Sequence, residues 1–444
     1  MSLSQSTTLF HTIIKIDKKV SKSLMNSYDY GSNFSFFGFS KIYSEFLCFM
    51  KLHYFYYIAF IVVLFSCSSD KNTEQQKKDE SQIEWESTQV PTVSLSLLHA
   101  RQFRVYTYPN FKTVEVYDKN QKLQQRYLLH KELTPPKTNF EYDIALQTPL
   151  KRIVSRSTKY ASFISLLEKV DNVVGFVGSQ YVSDEKIRKY LETGKIKEVG
   201  NDDGSGVNFE GLVSLEPDAI FTYDASLYGG TSDTQQKMKE LGLPMIICNE
   251  TLESSPLAQA EWIKFFGVLF EEEEKATQIF NKVKSNYDSL KSLTANIKQE
   301  NKPTLFFNAW YNETWFMPNG DSYVAQFAKD AGAIYLWNDL EGTGASPLAI
   351  ESVYEKAEQA DYWFHASDWT TMNQLISSDR RFVSFKSVKN KKVFNHNKRR
   401  LKSGGNDYFE SGVAFPDKIL ADFIKILHPN LIQDKELYFY ENLK

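Results

Sequence analysis

Cys67 is the residue whose surroundings tie it most closely to one chemistry. It ends the tetrapeptide Leu64-Phe65-Ser66-Cys67, which closes the uncharged apolar run 54–66. A run of that length is too short for a bilayer-spanning helix, which needs about 20 apolar residues. It has the size of a signal-peptide apolar region, and Met50-Lys51 supplies a basic start just before it. An apolar residue three places before a cysteine, a small residue directly before it, and the cysteine itself form a lipobox pattern. The thiol accepts the lipid, and the small Ser66 lets a peptidase reach the bond; Phe65 is bulkier than the pattern favours. The expectation is an exported chain anchored through a lipid on Cys67. Translation is then expected to begin at Met50, with residues 1–49 a misassigned leader, 50–66 the signal peptide and 67–98 a lipid-anchored tether. The start of that tether, Ser68 to Ser81, is polar and charged and cannot bury enough surface to fold.

Catalytic patterns are weak by comparison. Ser183-Asp184-Glu185-Lys186 fits Ser-x-x-Lys, and Gly320-Asp321-Ser322 echoes one esterase motif, but both are short enough to arise by chance. The chain has no Gly-x-Ser-x-Gly elbow, no His-Glu-x-x-His helix and no Cys-x-x-Cys pair, so no enzymatic activity is expected. His99, His130, His365, His396 and His428 form no close pair in sequence, and no resident metal or cofactor is expected. His365, at the end of an apolar strand, is the histidine best placed to meet a ligand. Lys391, Lys392, Lys398, Arg399, Arg400 and Lys402 form a basic cluster. Such a run is ordinary solvated surface unless one or two members turn inward, where they would favour an anion.

Composition bounds the rest. A net charge of −3 implies no nucleic-acid partner. After export only Cys67 and Cys248 remain, so no disulfide framework is available and a packed core must supply stability. About 360 residues leave room for two domains. Aromatic residues make up 15% of the chain, more than a core needs.

The elements that must position these residues follow from periodicity. Phe103–Tyr108 and Thr113–Tyr117 alternate around the turn signal Pro109-Asn110, and Gln125–Leu129 follows, so residues 99–149 read as a small antiparallel β flap. From Leu150 short apolar strands (Arg152–Ser155, Val173–Val177, Ala219–Tyr223, Met245–Cys248) alternate with helical stretches. That pattern implies a parallel sheet covered on both faces. Residues 150–270 form this first α/β lobe. In residues 271–300, apolar positions recur every three or four residues from Ala276 to Leu293, and the acidic run at 271–274 favours a helix start. A helix there would reach about 40 Å. A second α/β lobe occupies 301–444, with strands at Thr304–Asn308, Asp361–His365 and Lys392–Phe394 and a last helix at Pro416–Leu427. The fold class is therefore α/β: two lobes with mainly parallel sheets joined by one long helix, plus the N-terminal flap.

Over residues 150–430 the chain resembles the substrate-binding proteins of ABC importers for iron chelates, haem and cobalamin. Four stretches carry the resemblance: Arg152–Ser155 with Val173–Phe176; Asn208-Phe209-Glu210 running to Pro217-Asp218 before a strand; Glu261-Trp262-Ile263 to Lys275-Ala276; and Ile350-Glu351-Ser352-Val353 with Ala360-Asp361. The resemblance implies a monomer with a ligand cleft between the lobes. It also implies that Glu210 and Glu351 dock into arginine pockets of an ABC permease dimer; each would equally well complement a helix N-terminus. The cleft is expected along the loops after the strands. The candidate ligand-binding residues are Ser157, Tyr181 and Tyr223 from the first lobe and Trp310, Tyr311, Trp315, Trp369, Asp407 and Tyr408 from the second. The ligand expected is an iron chelate of siderophore type, with cobalamin or haem as alternatives and a non-transport surface role as a third reading.

Overall fold

The structure, a computed structural model, describes residues 91–201, 206–224, 233–433 and 435–444. Cys67, the leader, the signal peptide and most of the tether lie outside the described residues.

The first sheet consists of β1 (Val93–Ser94), β2 (Phe103–Thr107), β3 (Lys112–Tyr117), β4 (Leu123–His130) and β5 (Ile144–Gln147), side by side in that order. The first three pairings are antiparallel. The last is parallel, with Tyr127 opposite Ile144 and His130 opposite Gln147. A flap antiparallel throughout was expected. The long connection 131–143 explains the difference, because a parallel pairing needs a crossover of about a dozen residues.

This sheet is attached to the rest of the chain through its main chain. Glu261 and Glu253 are both fully buried. Glu261 accepts the N–H groups of Leu98, His99 and Ala100, with oxygens 2.7–3.0 Å away, and Glu253 accepts those of Arg101 and Gln102 at 3.0 Å. Burial pushes the Glu253 carboxyl up to about 7. Burial also raises Glu261, but its bond to Lys264 and its three amide donors outweigh that and leave it lowered. Ile247 N–H donates to Tyr127 Oη at 2.7 Å and adds a second attachment.

The first lobe holds β6 (Ile153–Ser155), β7 (Val173–Phe176), β8 (Lys197–Glu198), β9 (Ala219–Thr222) and β10 (Met245–Ile247), ordered β10-β9-β6-β7-β8 and parallel throughout. The second lobe has β11 (Thr304–Phe307), β12 (Trp310–Tyr311), β13 (Thr314–Pro318), β14 (Ile334–Tyr335), β15 (Ala345–Ala349), β16 (Tyr362–Phe364), β17 (Val393–Asn395) and β18 (Glu441–Asn442). Its main sheet runs β14-β11-β16-β17-β18, with only β18 antiparallel. The matched aspartates of the two lobes have a shared physical role. Asp218 accepts the N–H groups of Lys151 and Arg152 just ahead of β6, and Asp361 accepts that of Thr304 at the start of β11.

The helix Glu273–Thr294 joins the lobes. Its Ala276 and Phe280 belong to the core of the first lobe and its Tyr287 to the core of the second. At 1.5 Å per residue it spans about 33 Å. The helical region before it is divided at Trp262 into Pro256–Glu261 and Ile263–Phe270.

Candidate ligand cleft

The loops that follow the sheet strands face each other across the two lobes. From the first lobe come Arg156 and Ser157 after β6, Gly178 and Tyr181 after β7, and Tyr223 after β9. From the second come Asp368 after β16, then His396, Arg400, Gly404, Gly405 and Asn406 after β17, and Phe409. Together they line a cavity of about 440 Å³, within the range of about 300–1,000 Å³ usual for small-molecule sites. Ligands of open α/β sheets bind at such strand ends.

Two guanidinium groups, one from each lobe, meet this space. Arg156 is buried; its Nη1 donates to Thr222 Oγ1 at 2.9 Å, and its Cζ lies 5.4 Å from the centre of the Tyr223 ring. Arg400 pairs with the exposed Asp368 at 2.7 Å. Of the basic cluster, Lys398 instead bonds to Leu437 O, and Arg399 is tied to Asp407. His396 lies between the cavity and the core. Its ring stacks on Tyr408 at 4.4 Å and sits 4.5 Å from the ring of His365. The two histidines thus form a pair that their spacing in sequence does not reveal. Burial holds His396 down at about 4 and His365 well below its ordinary value, where the neighbouring His396 adds to the effect. Both rings are therefore neutral at neutral pH. His365 Nε2 bonds to Tyr440 Oη at 2.5 Å and so faces away from solvent.

The lobes also touch beside the cavity. Gly405 packs on the main chain of Tyr181, where an added Cβ would lie 2.4 Å from Tyr181 O. The buried Glu410 of the second lobe accepts the N–H groups of Ser183 and Asp184 of the first, both at 2.6 Å. Burial outweighs these two bonds and pushes the Glu410 carboxyl up to about 8; Asp407 and Asp184 add to the rise.

The family model described as periplasmic binding protein matches residues 153–399, from the first residue of β6 to the loop after β17. The chain belongs to the periplasmic binding protein family. The sheet β1–β5 of this binding protein lies wholly outside the matched residues. An uncharacterized lipoprotein of Methanocaldococcus jannaschii is 29% identical over 304 residues, 66% of this chain and 69% of that one. An uncharacterized ABC transporter substrate-binding lipoprotein of Bacillus subtilis is 22% identical over 197 residues, 43% of this chain and 58% of that protein. A periplasmic heme binding protein of Pseudomonas aeruginosa has the same fold, with a TM-score of 0.50 at 13% identity, covering 66% of this chain and 98% of its own. Proteins of this family act as ABC transporter substrate-binding proteins, a role that implies a small-molecule ligand and a permease partner.

Against this frame the expected site residues divide. Ser157, Tyr181 and Tyr223 meet on the cavity. The six from the second lobe do not line it. Trp315 is completely buried, donates its indole N–H to Phe307 O at 2.9 Å and packs on Phe306 and Trp363. The reason is a hairpin. The turn expected after β11 is built as β12 and β13, and β13 pairs with β15 from Thr314–Ala349 to Pro318–Ala345. Alternation along β13 then sends Trp315 and Met317 inward and Phe316 outward. Trp310 is half-buried against the same core, whereas Tyr311 is 69% exposed on the hairpin. Trp369 packs on Trp363 and Phe382. Asp407 is buried and held by Arg399, and Tyr408 is buried behind His396. Arg156 and Phe409 fall within stretches the sequence offered for the cleft, Ser155–Ser157 and Gly404–Phe409, whereas His396 was not among the expected site residues. The strand-end rule would have found it, since His396 directly follows β17.

Glu210 and Glu351 each lie, exposed, in the first turn of a short helix, Phe209–Ser214 and Ile350–Ala357. Arg381 Nη1 is 3.7 Å from Glu351.

Proposed function

We propose that this chain is a lipid-anchored substrate-binding protein that captures an anionic iron chelate of siderophore type between its lobes and delivers it to an ABC permease dimer. The observation that carries the reading is the placement of Arg156 and Arg400, from opposite lobes, on one cavity with Tyr181, Tyr223 and Phe409. Guanidinium groups pair with carboxylate and other oxyanion edges through paired N–H donors. The aromatic rings offer flat faces for the organic part of a chelate at low entropy cost. Cys67 would carry the lipid, and Glu210 and Glu351 would dock into arginine pockets on the two permease halves.

A second reading, haem or cobalamin, draws on His396, whose neutral imidazole would offer the metal a nitrogen ligand. Quenching of tryptophan fluorescence separates the readings, titrated with a ferric catecholate, a ferric hydroxamate, haemin and cyanocobalamin. The expected result is saturable quenching by one of the two ferric chelates at micromolar affinity or tighter, weakened at least about tenfold in Arg400→Ala, the loss of a charge-assisted hydrogen bond. Saturable quenching by haemin or cyanocobalamin alone would overturn the chelate reading.

A further inference from the structure

We infer that Asp368 is a built-in competitor for the ligand: in the free protein its carboxylate fills the fork of Arg400 on the cavity wall, and an anionic ligand binds by taking its place. The inference rests on the cleft and the anionic ligand proposed above, and adds the residue that decides which anions can enter.

Both partners sit on well-held main chain. Asp368 lies in the turn after β16. The buried side chain of Asn395, on the neighbouring strand β17, holds that turn: its Nδ2 lies 2.7–3.2 Å from the carbonyl oxygens of Ala366, Ser367 and Trp369, on either side of Asp368. Arg400 opens a turn after β17. Its N–H donates to Asn397 O at 3.0 Å, and Leu401 N–H donates to Gly405 O at 2.7 Å. The two side chains meet on the cavity that both line. Arg400 Nη1 is 2.7 Å from Asp368 Oδ1, and Nη2 donates to Oδ2 at 3.3 Å. One carboxylate thus occupies both arms of the guanidinium, the arrangement that an oxyanion edge of a ligand would take.

Among the described residues the Asp368 carboxylate has no other hydrogen-bond or ion-pair partner, and its side chain is 81% exposed. Turned out to water it leaves no donor unmet but the Arg400 fork, which the incoming anion fills. Exposed ion pairs are weak enough for such an exchange. A small anion such as acetate gains only the fork, and it competes with a carboxylate presented by the protein itself at an effective concentration of about millimolar or more. A chelate that also reaches Tyr181, Tyr223 and Phe409 has further contacts with which to win the exchange. Asp368 therefore keeps the fork closed to lone anions and open to large anionic chelates.

Modification of the full chain by the arginine reagent phenylglyoxal, located by mass spectrometry, tests the pair without any ligand. Asp368→Asn keeps the size of the side chain and removes its charge, and should raise the rate of modification at Arg400 at least about threefold; an unchanged rate would overturn the inference. Tryptophan quenching then reads the competition. A ferric tricatecholate should bind Asp368→Asn about threefold to fivefold more tightly than wild type, the worth of an exposed ion pair, whereas a neutral ferric trihydroxamate should bind both alike. The gain should vanish when Arg400→Ala is added. No gain with the tricatecholate, an equal gain with the neutral chelate, or a gain that persists in the double variant would refute the exchange, the last by showing a general charge effect. If wild type binds neither chelate, the chelate reading of the cleft falls, whereas the labelling of Arg400, measured on the free protein, decides the pairing by itself.

Discussion

Glu410 is the sharpest place to test how the two lobes are held. Its buried carboxyl accepts two main-chain N–H groups from the opposite lobe. Glu410→Ala leaves both donors without a partner. Each unsatisfied donor costs about 1–3 kcal/mol, and because Ser183 and Asp184 are only half-buried a total of about 2–4 kcal/mol is expected. Urea unfolding at pH 7 would measure it, and a loss below about 0.5 kcal/mol would refute the bridging role. The pH dependence has a definite sign. The carboxyl rises from its ordinary 4.5 to about 8 on folding, so the folded protein holds the proton more tightly than the unfolded chain. The contribution of Glu410 is then full below pH 4.5 and is lost as pH rises through 8. The stability difference between wild type and Glu410→Gln should shrink across that window. A difference that stays flat from pH 5 to pH 9 would show that the carboxyl does not titrate as its burial requires.

Trp315→Ala should cost about 3–5 kcal/mol, as large-to-small core changes do, while chelate affinity measured on the folded variant stays unchanged; a weakened affinity at unaltered stability would return Trp315 to the cleft. Glu210→Ala combined with Glu351→Ala should abolish uptake in cells and leave binding in solution intact, and unaltered uptake would remove the docking assignment.

The α/β lobes were legible because each short apolar strand is bounded by turn residues and because Pro217-Asp218 and Ala360-Asp361 mark the same structural point. Those aspartates cap strand starts, so the repeated motif has a local cause that sequence can carry. Ser157, Tyr181 and Tyr223 followed from one rule about strand ends. The aromatic run from Trp310 to Phe316 misled because residue type outweighed alternation. The order Trp315, Phe316, Met317 already has the period of a strand, but its partner, Ala345–Ala349, is about thirty residues away and carries no mark of the pairing. The His365–His396 contact stayed hidden for the same reason: the two residues end neighbouring strands, and adjacency across a sheet leaves no trace in spacing.

The attachment of the first sheet has a consequence for how this protein can change. Glu253 and Glu261 grip five successive peptide groups, from Leu98 to Gln102, and a peptide N–H is the same whichever side chain it bears, proline excepted. Drift along that stretch is therefore cheap, while drift at either glutamate strands several donors at once. A segment gripped in this way is an adaptable joint: a different sheet could be exchanged onto the same two carboxylates without rebuilding the lobe that supplies them.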